Sequence, residues 1–207
     1  MTTFLLIRHA SHDLLGKAIA GRAPGLRLND IGRRESERLA ARLARANIAE
    51  IITSPRERTL DTAQPLASRL NLRPAIDPAI DEIDFGTWTG ATFDSLKSDP
   101  EWHRWCRQRG SARPPNGEPF IAVQQRIVAA IERLRASPGE RTIALFSHGD
   151  VIKAALAYYL RISLDHLERF DIAPASVSVL ATGDGWEQVK LVNDTSEFAP
   201  LSILEKG

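Results

Sequence analysis

Two apolar runs in this chain end alike. Phe4–His9 reads "FLLIRH" and Ile143–His148 reads "IALFSH"; each stops at a histidine and passes into small residues, Ala10-Ser11 and Gly149-Asp150. Short runs that are apolar at nearly every position, rather than every second one, predict strands buried on both faces. Such strands need helices above and below them, so the two runs predict a mostly parallel sheet between helical layers.

The intervening sequence supplies those helices. After a strand at Thr3–Arg8 and a Gly- and Pro-marked loop at His9–Leu28, "NDIGRRESERLAARLARAN" places Leu39, Leu43, Ala40 and Ala44 at helical spacing behind an Asn29 cap. A short strand at Glu50–Thr53 leads into "SPRERTLDTAQPLASRL". There Ser54 is expected as N-cap, Pro55 at the first helical position and Glu57 as the capping-box partner. Pro65 is expected to kink or split this helix. Pro74–Asp84 reads as extended, "FGTWTG" and "GSARPPNGEP" as loops, and Asp94–Arg109 and Phe120–Ala136 as helices. "RTIALFS" is a buried strand and "VIKAALAYYL" the helix after it; "SVSVLAT" and "WEQVKLVN" flank "GDG" as a hairpin. Loose order is expected after Asn193. The result is an α/β three-layer sandwich with a mostly parallel central sheet and helices on both faces. No linker divides residues 1–207 and no repeat recurs, so a single domain is expected, with 82–119 as an insertion over the sheet.

Composition excludes several functions. A net charge of +1 offers no global field for nucleic acid or an anionic membrane. The apolar run in "MTTFLLIRHA" is too short for a secretory leader and lacks a basic start, and no stretch reaches membrane-spanning length. A single cysteine, Cys106, excludes an internal disulfide and suits a reducing, cytoplasmic location.

In sheets of this kind ligands bind beyond the carboxyl ends of the strands, where Arg8-His9 and His148 are expected to meet. Small residues after each histidine, Ala10-Ser11 and Gly149, let backbone N–H groups approach a ligand, and a helix beginning after Gly149 adds its positive end. Arg58, one turn into the helix after the second strand, projects to the same side. Arg8 and Arg58 suit the oxygens of one phosphoryl group.

Four stretches, "RHA", "SPRERTLDTA", "DEIDFGTWTG" and "SHGDVI", in this order and spacing resemble the histidine phosphatase superfamily, also called phosphoglycerate mutase-like. The likeness runs from Leu5 to about Leu180, and "LNDIGRRE" is similar to that family's first-helix pattern. The resemblance implies that His9 attacks phosphorus and carries a phosphohistidine. Arg8, Arg58 and His148 would hold the phosphoryl oxygens, and Glu82 would protonate the leaving oxygen and then activate water, with Asp84 in reserve. It implies a phosphomonoesterase that needs no metal and no other cofactor, acting on a small phosphorylated metabolite.

Other residues carry alternatives. Arg22 in "GRAPG" is a substrate contact or surface, and Ser11 and Gly149 are further candidates for binding substrate. His12 lines a pocket or the surface; its H-x-x-H spacing with His9 lacks the helix a zinc site needs. Cys106 superficially resembles a cysteine phosphatase loop, but the arginine should stand at Ala112 and Arg113 is one place too far, so a partly buried thiol is expected. Trp102 and Trp105 are an apolar helix face or a substrate mouth, and Glu118 caps the following helix or belongs to a family turn. Ala10, Ser11, His12 and Leu15 depart from the family pattern, and the missing asparagine at Leu15 favours a phosphatase over a mutase. A mutase and a non-catalytic phosphate-binding module stay as alternatives. The sequence leaves the oligomeric state open, a homodimer included.

Overall fold

The computed structural model describes residues 1–196 of the chain. Its strands are β1 (Thr2–Arg8), β2 (Ile48–Thr53), β3 (Ala75–Ile76), β4 (Arg141–Ser147), β5 (Val177–Gly183) and β6 (Trp186–Asp194). They form one sheet in the order β3-β2-β4-β1-β5-β6. β1, β2, β3 and β4 run parallel, and β5 and β6 close the sheet as an antiparallel hairpin. The helices are α1 (Asp30–Leu43), α2 (Glu57–Leu70), α3 (Phe93–Leu96), α4 (Pro100–Arg107), α5 (Phe120–Arg135) and α6 (Gly149–Tyr159).

The two apolar runs are the paired central strands, and their side chains alternate between two cores. Phe4, Leu6, Ile143 and Leu145 face a cluster with Phe120, Val123 and Ile127 of α5 and Val151 and Ile152 of α6. Leu5, Ile7, Ala144 and Phe146 face the opposite cluster, with Leu39, Ala40 and Leu43 of α1 and Ala63, Leu66 and Ala67 of α2. Each fully buried Leu, Ile or Phe contributes roughly 1.5–3 kcal/mol, which is why runs apolar at every position stay in the middle of the sheet. The α/β three-layer sandwich expected from sequence is the observed architecture. Among the described residues no helix is long and apolar enough to cross a membrane.

The local expectations fared unevenly. Asn29 caps α1, its side chain accepting from the Gly32 N–H at 2.9 Å. α2 starts at Glu57 rather than Ser54, with Arg56 at the cap and no side-chain cap bond. The expected capping box does not form because the Ser54 hydroxyl is committed to Asp81 and His148, and the Glu57 carboxylate accepts from Gly25 N–H. Pro65 does not split α2: buried Ala63, Leu66 and Ala67 hold the helix to the sheet on either side of it. The single helix expected over Asp94–Arg109 is two, because Pro100 supplies a new first position and Asp99 accepts from Glu101 and Trp102 N–H. Of the stretch Pro74–Asp84 only Ala75–Ile76 pairs as strand, and Pro78–Ile80 is a 3-10 turn capped by Asp77. A 3-10 segment at Leu164–Arg169 had no expectation. Asn193 and Asp194 still belong to β6; the rest of the expected loose tail, 197–207, lies outside the described residues.

Candidate active site

Strand register builds the site. In the β1–β4 pair Arg8 stands opposite Ser147, so His9 and His148 emerge side by side, and His9 N–H donates to the Ser147 carbonyl at 3.0 Å. Their ring centroids are 5.3 Å apart. The next strand along, β2, ends at the same level, with Ser54 N–H donating to the Phe146 carbonyl. α2 leaves from there and carries Arg58, fully buried, and one turn later Thr62, whose hydroxyl accepts from Ala10 N–H at 2.9 Å.

His9 is 2% exposed, and its Nδ1 is 2.9 Å from the Ala10 carbonyl oxygen. A carbonyl only accepts, so Nδ1 carries the proton and Nε2 keeps its lone pair. Burial, then Arg58 and Arg8, hold the His9 pKa well below 6.5, so the ring is neutral. His148, fully buried, is neutral for the same first reason, followed by Arg58 and His9. Arg58 donates to its Nδ1 at 3.1 Å, which leaves Nε2–H to donate to Ser54 Oγ at 2.7 Å; Ser54 in turn donates to Asp81 at 3.1 Å.

The Arg58 guanidinium also donates to the Gly21 carbonyl at 2.8 Å, while its Nε and a second terminal nitrogen are buried without a partner. Arg8 donates to the Ile172 carbonyl at 2.5 Å, and its Nε is likewise unpartnered. Gly149 makes room for it: a Cβ there would lie 3.3 Å from the Arg8 guanidinium. Glu82 completes the cluster, 3.7 Å from Arg58 and 3.5 Å from His148 Nδ1. Burial pushes its pKa up to about 7 against the pull of Arg58. His9, Glu82 and His148 each have a ligand atom within 4.8 Å of the others, a donor set a divalent metal can use. Arg58 touches both Glu82 and His148, so a cation there would sit against a buried guanidinium. The surroundings fit an anion instead.

The five residues expected to carry the chemistry, Arg8, His9, Arg58, Glu82 and His148, are thus brought together; Arg8, His9, Glu82 and Gly149 line a cavity of about 340 Å³, while Arg58 and His148 are fully buried and contact Glu82. Trp102 and Trp105 form part of its wall, and Trp105 is also fully buried core, as expected of an apolar helix face. Five expectations need correction. Arg22 does not line the cavity: its Nε donates to the Glu82 carbonyl at 2.8 Å and a terminal nitrogen to Glu118 at 2.9 Å, so it braces the chain that presents Glu82. Ser11 gives both its N–H and its hydroxyl to Glu35 of α1, which ties the loop down rather than facing substrate. Asp84 is 46% exposed and accepts from Gly86 N–H, a turn role outside the cluster. Glu118 does not cap α5, since Arg126 and Arg22 use both its oxygens. Cys106 is exposed on α4 rather than partly buried.

Sequence reasoning missed Ser54, Asp81 and Arg126. Arg126 donates to the Glu82 and Ala79 carbonyls and to Glu118. The available hint was an N-cap serine preceding a helix that had a good alternative start.

A family model described as the histidine phosphatase superfamily (branch 1) matches residues 4–195. The chain is 36% identical over 199 residues to the bifunctional protein Rv2228c of Mycobacterium tuberculosis, covering 94% of this chain and 54% of that protein. It therefore spans about half the length of that relative. It is 28% identical over 185 residues to phosphoserine phosphatase 1 of Hydrogenobacter thermophilus, covering 87% of this chain and 86% of the relative. Among solved structures, Bacillus stearothermophilus YhfR superposes with a TM-score of 0.88 at 29% identity, over 95% of this chain and 99% of that one. A family match over nearly all the described residues, with a relative 36% identical over 94% of the chain, has one reading: the chain belongs to the histidine phosphatase superfamily.

Proposed function

We propose that the protein is a phosphomonoesterase that works through a phosphohistidine at His9 and acts on a small phosphorylated metabolite. One observation carries the reading: a neutral histidine with a free Nε2 stands among buried guanidinium donors of Arg8 and Arg58 that have no partner. Buried donors are rarely left unpaired, and an anion with several oxygens satisfies these together. The relatives named phosphoserine phosphatase and acid phosphatase support hydrolysis of phosphate esters.

In the first step His9 Nε2 attacks phosphorus, an N–P bond forms and the P–O bond to the leaving group breaks. Glu82, protonated because burial holds its pKa near 7, gives its proton to the leaving oxygen. The Nδ1–H bond to the Ala10 carbonyl holds the ring and stabilises the positive charge it gains. In the second step water attacks phosphorus, its proton passes to Glu82, the N–P bond breaks and phosphate leaves. Arg8 and Arg58 neutralise charge on the phosphoryl oxygens throughout, which is where most of the stabilisation in phosphoryl transfer resides.

The test is hydrolysis of a panel of phosphorylated metabolites in the presence of a chelator, with products followed by phosphorus NMR. Release of inorganic phosphate that disappears in a folded His9→Ala variant is expected. An isomerised ester without free phosphate would mean a mutase, and tight phosphate binding without turnover a binding module.

A further inference from the structure

His12 is a second imidazole lining the cavity beside His9, and the proposed reaction does not use it. It follows His9 in the loop that leaves β1, lines the cavity and is 4% exposed. Its ring centroid is 5.1 Å from that of His9, with the planes tilted by 34°. Its Nδ1 is buried without a hydrogen-bond partner. No acceptor stands within hydrogen-bond reach of that nitrogen, so a proton placed there would be buried unpaired. A stranded lone pair is less costly than a stranded N–H, so the neutral ring carries its proton on Nε2. That edge is the one left to meet a bound group.

The surroundings say what the group is. After burial, Arg58 and Arg8 act most strongly on His12, holding it neutral with a pKa of about 4, and Asp13 opposes them. A neutral N–H beside two guanidinium groups suits an oxygen of the anion that those groups bind. In-line attack by His9 puts the leaving oxygen on the far side of phosphorus, so a donor beside the His9 ring meets the non-bridging oxygens.

We propose that His12 is a phosphoryl-binding residue whose Nε2–H donates to a non-bridging oxygen of the group held by Arg8 and Arg58. This rests on the phosphatase reading. Inorganic phosphate is the probe, because it offers the same oxygens and no leaving group. Its competitive inhibition of p-nitrophenyl phosphate hydrolysis is compared among wild type, His12→Phe and His12→Gln. The Phe variant keeps a ring against His9 and loses the donor; the Gln variant keeps a donor. The expected result is a phosphate inhibition constant raised about ten- to a hundredfold in His12→Phe, as for loss of a hydrogen bond to a charged group, and changed less than about threefold in His12→Gln. Should the Phe side chain prevent folding, His12→Leu replaces it with the same expectation. A Phe or Leu variant within about twofold of wild type, or equal losses in the apolar and Gln variants, would overturn the role. A wild-type protein that neither hydrolyses the ester nor binds phosphate would instead overturn the phosphatase reading.

Discussion

Glu82 is the residue whose chemistry depends most on its surroundings. Alone, "DEID" is an acidic stretch; in the fold, Arg22 and Arg126 both donate to the Glu82 backbone carbonyl and turn its carboxyl into the buried cluster. Burial, working against Arg58, raises its pKa to about 7. The first step needs the protonated form, while His9 and His148 are neutral well below 6.5. The kcat/KM of the free enzyme should therefore fall as pH rises through about 7, with one ionisation on that limb. Glu82→Gln should lower kcat/KM by roughly 10²–10⁴-fold and abolish the limb, and a pH–rate series on both proteins measures it. A limb that persists unchanged in the variant assigns the acid elsewhere. Arg22 shows why this residue scale was only half legible. Its position in a loop leaving the His9 strand pointed to substrate, but a guanidinium near three carboxylates and a carbonyl is drawn to them first.

At the scale of elements, strand ends decided the site and helix starts obscured it. Parallel pairing of "FLLIRH" with "IALFSH" was readable because continuous apolar runs have few alternatives to a two-sided strand. The register that aligns Arg8 with Ser147 then makes the histidine pair a consequence. Ser54 was misread for the opposite reason: local rules reward it as a cap, whereas its hydroxyl links His148 to Asp81, a partner 27 residues on. The break at Asp99-Pro100 was legible in sequence and overlooked within a longer helical pattern. Helix α1 carries a sharper constraint. A Cβ at Gly32 would overlap the Ser11 carbonyl oxygen, so this glycine lets α1 lie directly on the loop that follows His9. Gly32→Ala should destabilise the protein by about 3 kcal/mol or more, read as a lowered denaturant midpoint, although a helix interior ordinarily gains from alanine. A variant as stable as wild type would refute that close contact.

For the whole molecule, the sheet keeps two apolar cores apart and gathers His9, Arg58, Glu82 and His148 beyond the carboxyl ends of its central strands, and that concentration has a pH signature. Glu82 has a folded pKa raised from 4.5 to about 7, so between those values the folded chain holds a proton the unfolded chain has lost, and stability drops as pH rises. His9 and His148 act the other way: below 6.5 the unfolded chain takes up protons that their depressed pKa values deny the folded one, so stability drops on acidification. Glu82→Gln removes only the first effect. Its Tm relative to wild type should be higher at about pH 8 than at about pH 5, and a difference independent of pH would contradict the buried, titrating carboxyl. The central claim is the covalent intermediate at His9. Turnover of a labelled phosphomonoester, quenched within milliseconds in alkali and mapped by peptide mass analysis, should find the phosphoryl group on the peptide that contains His9, as an acid-labile, alkali-stable adduct. The same label on another residue, or turnover that survives undiminished in a folded His9→Ala variant, would contradict it.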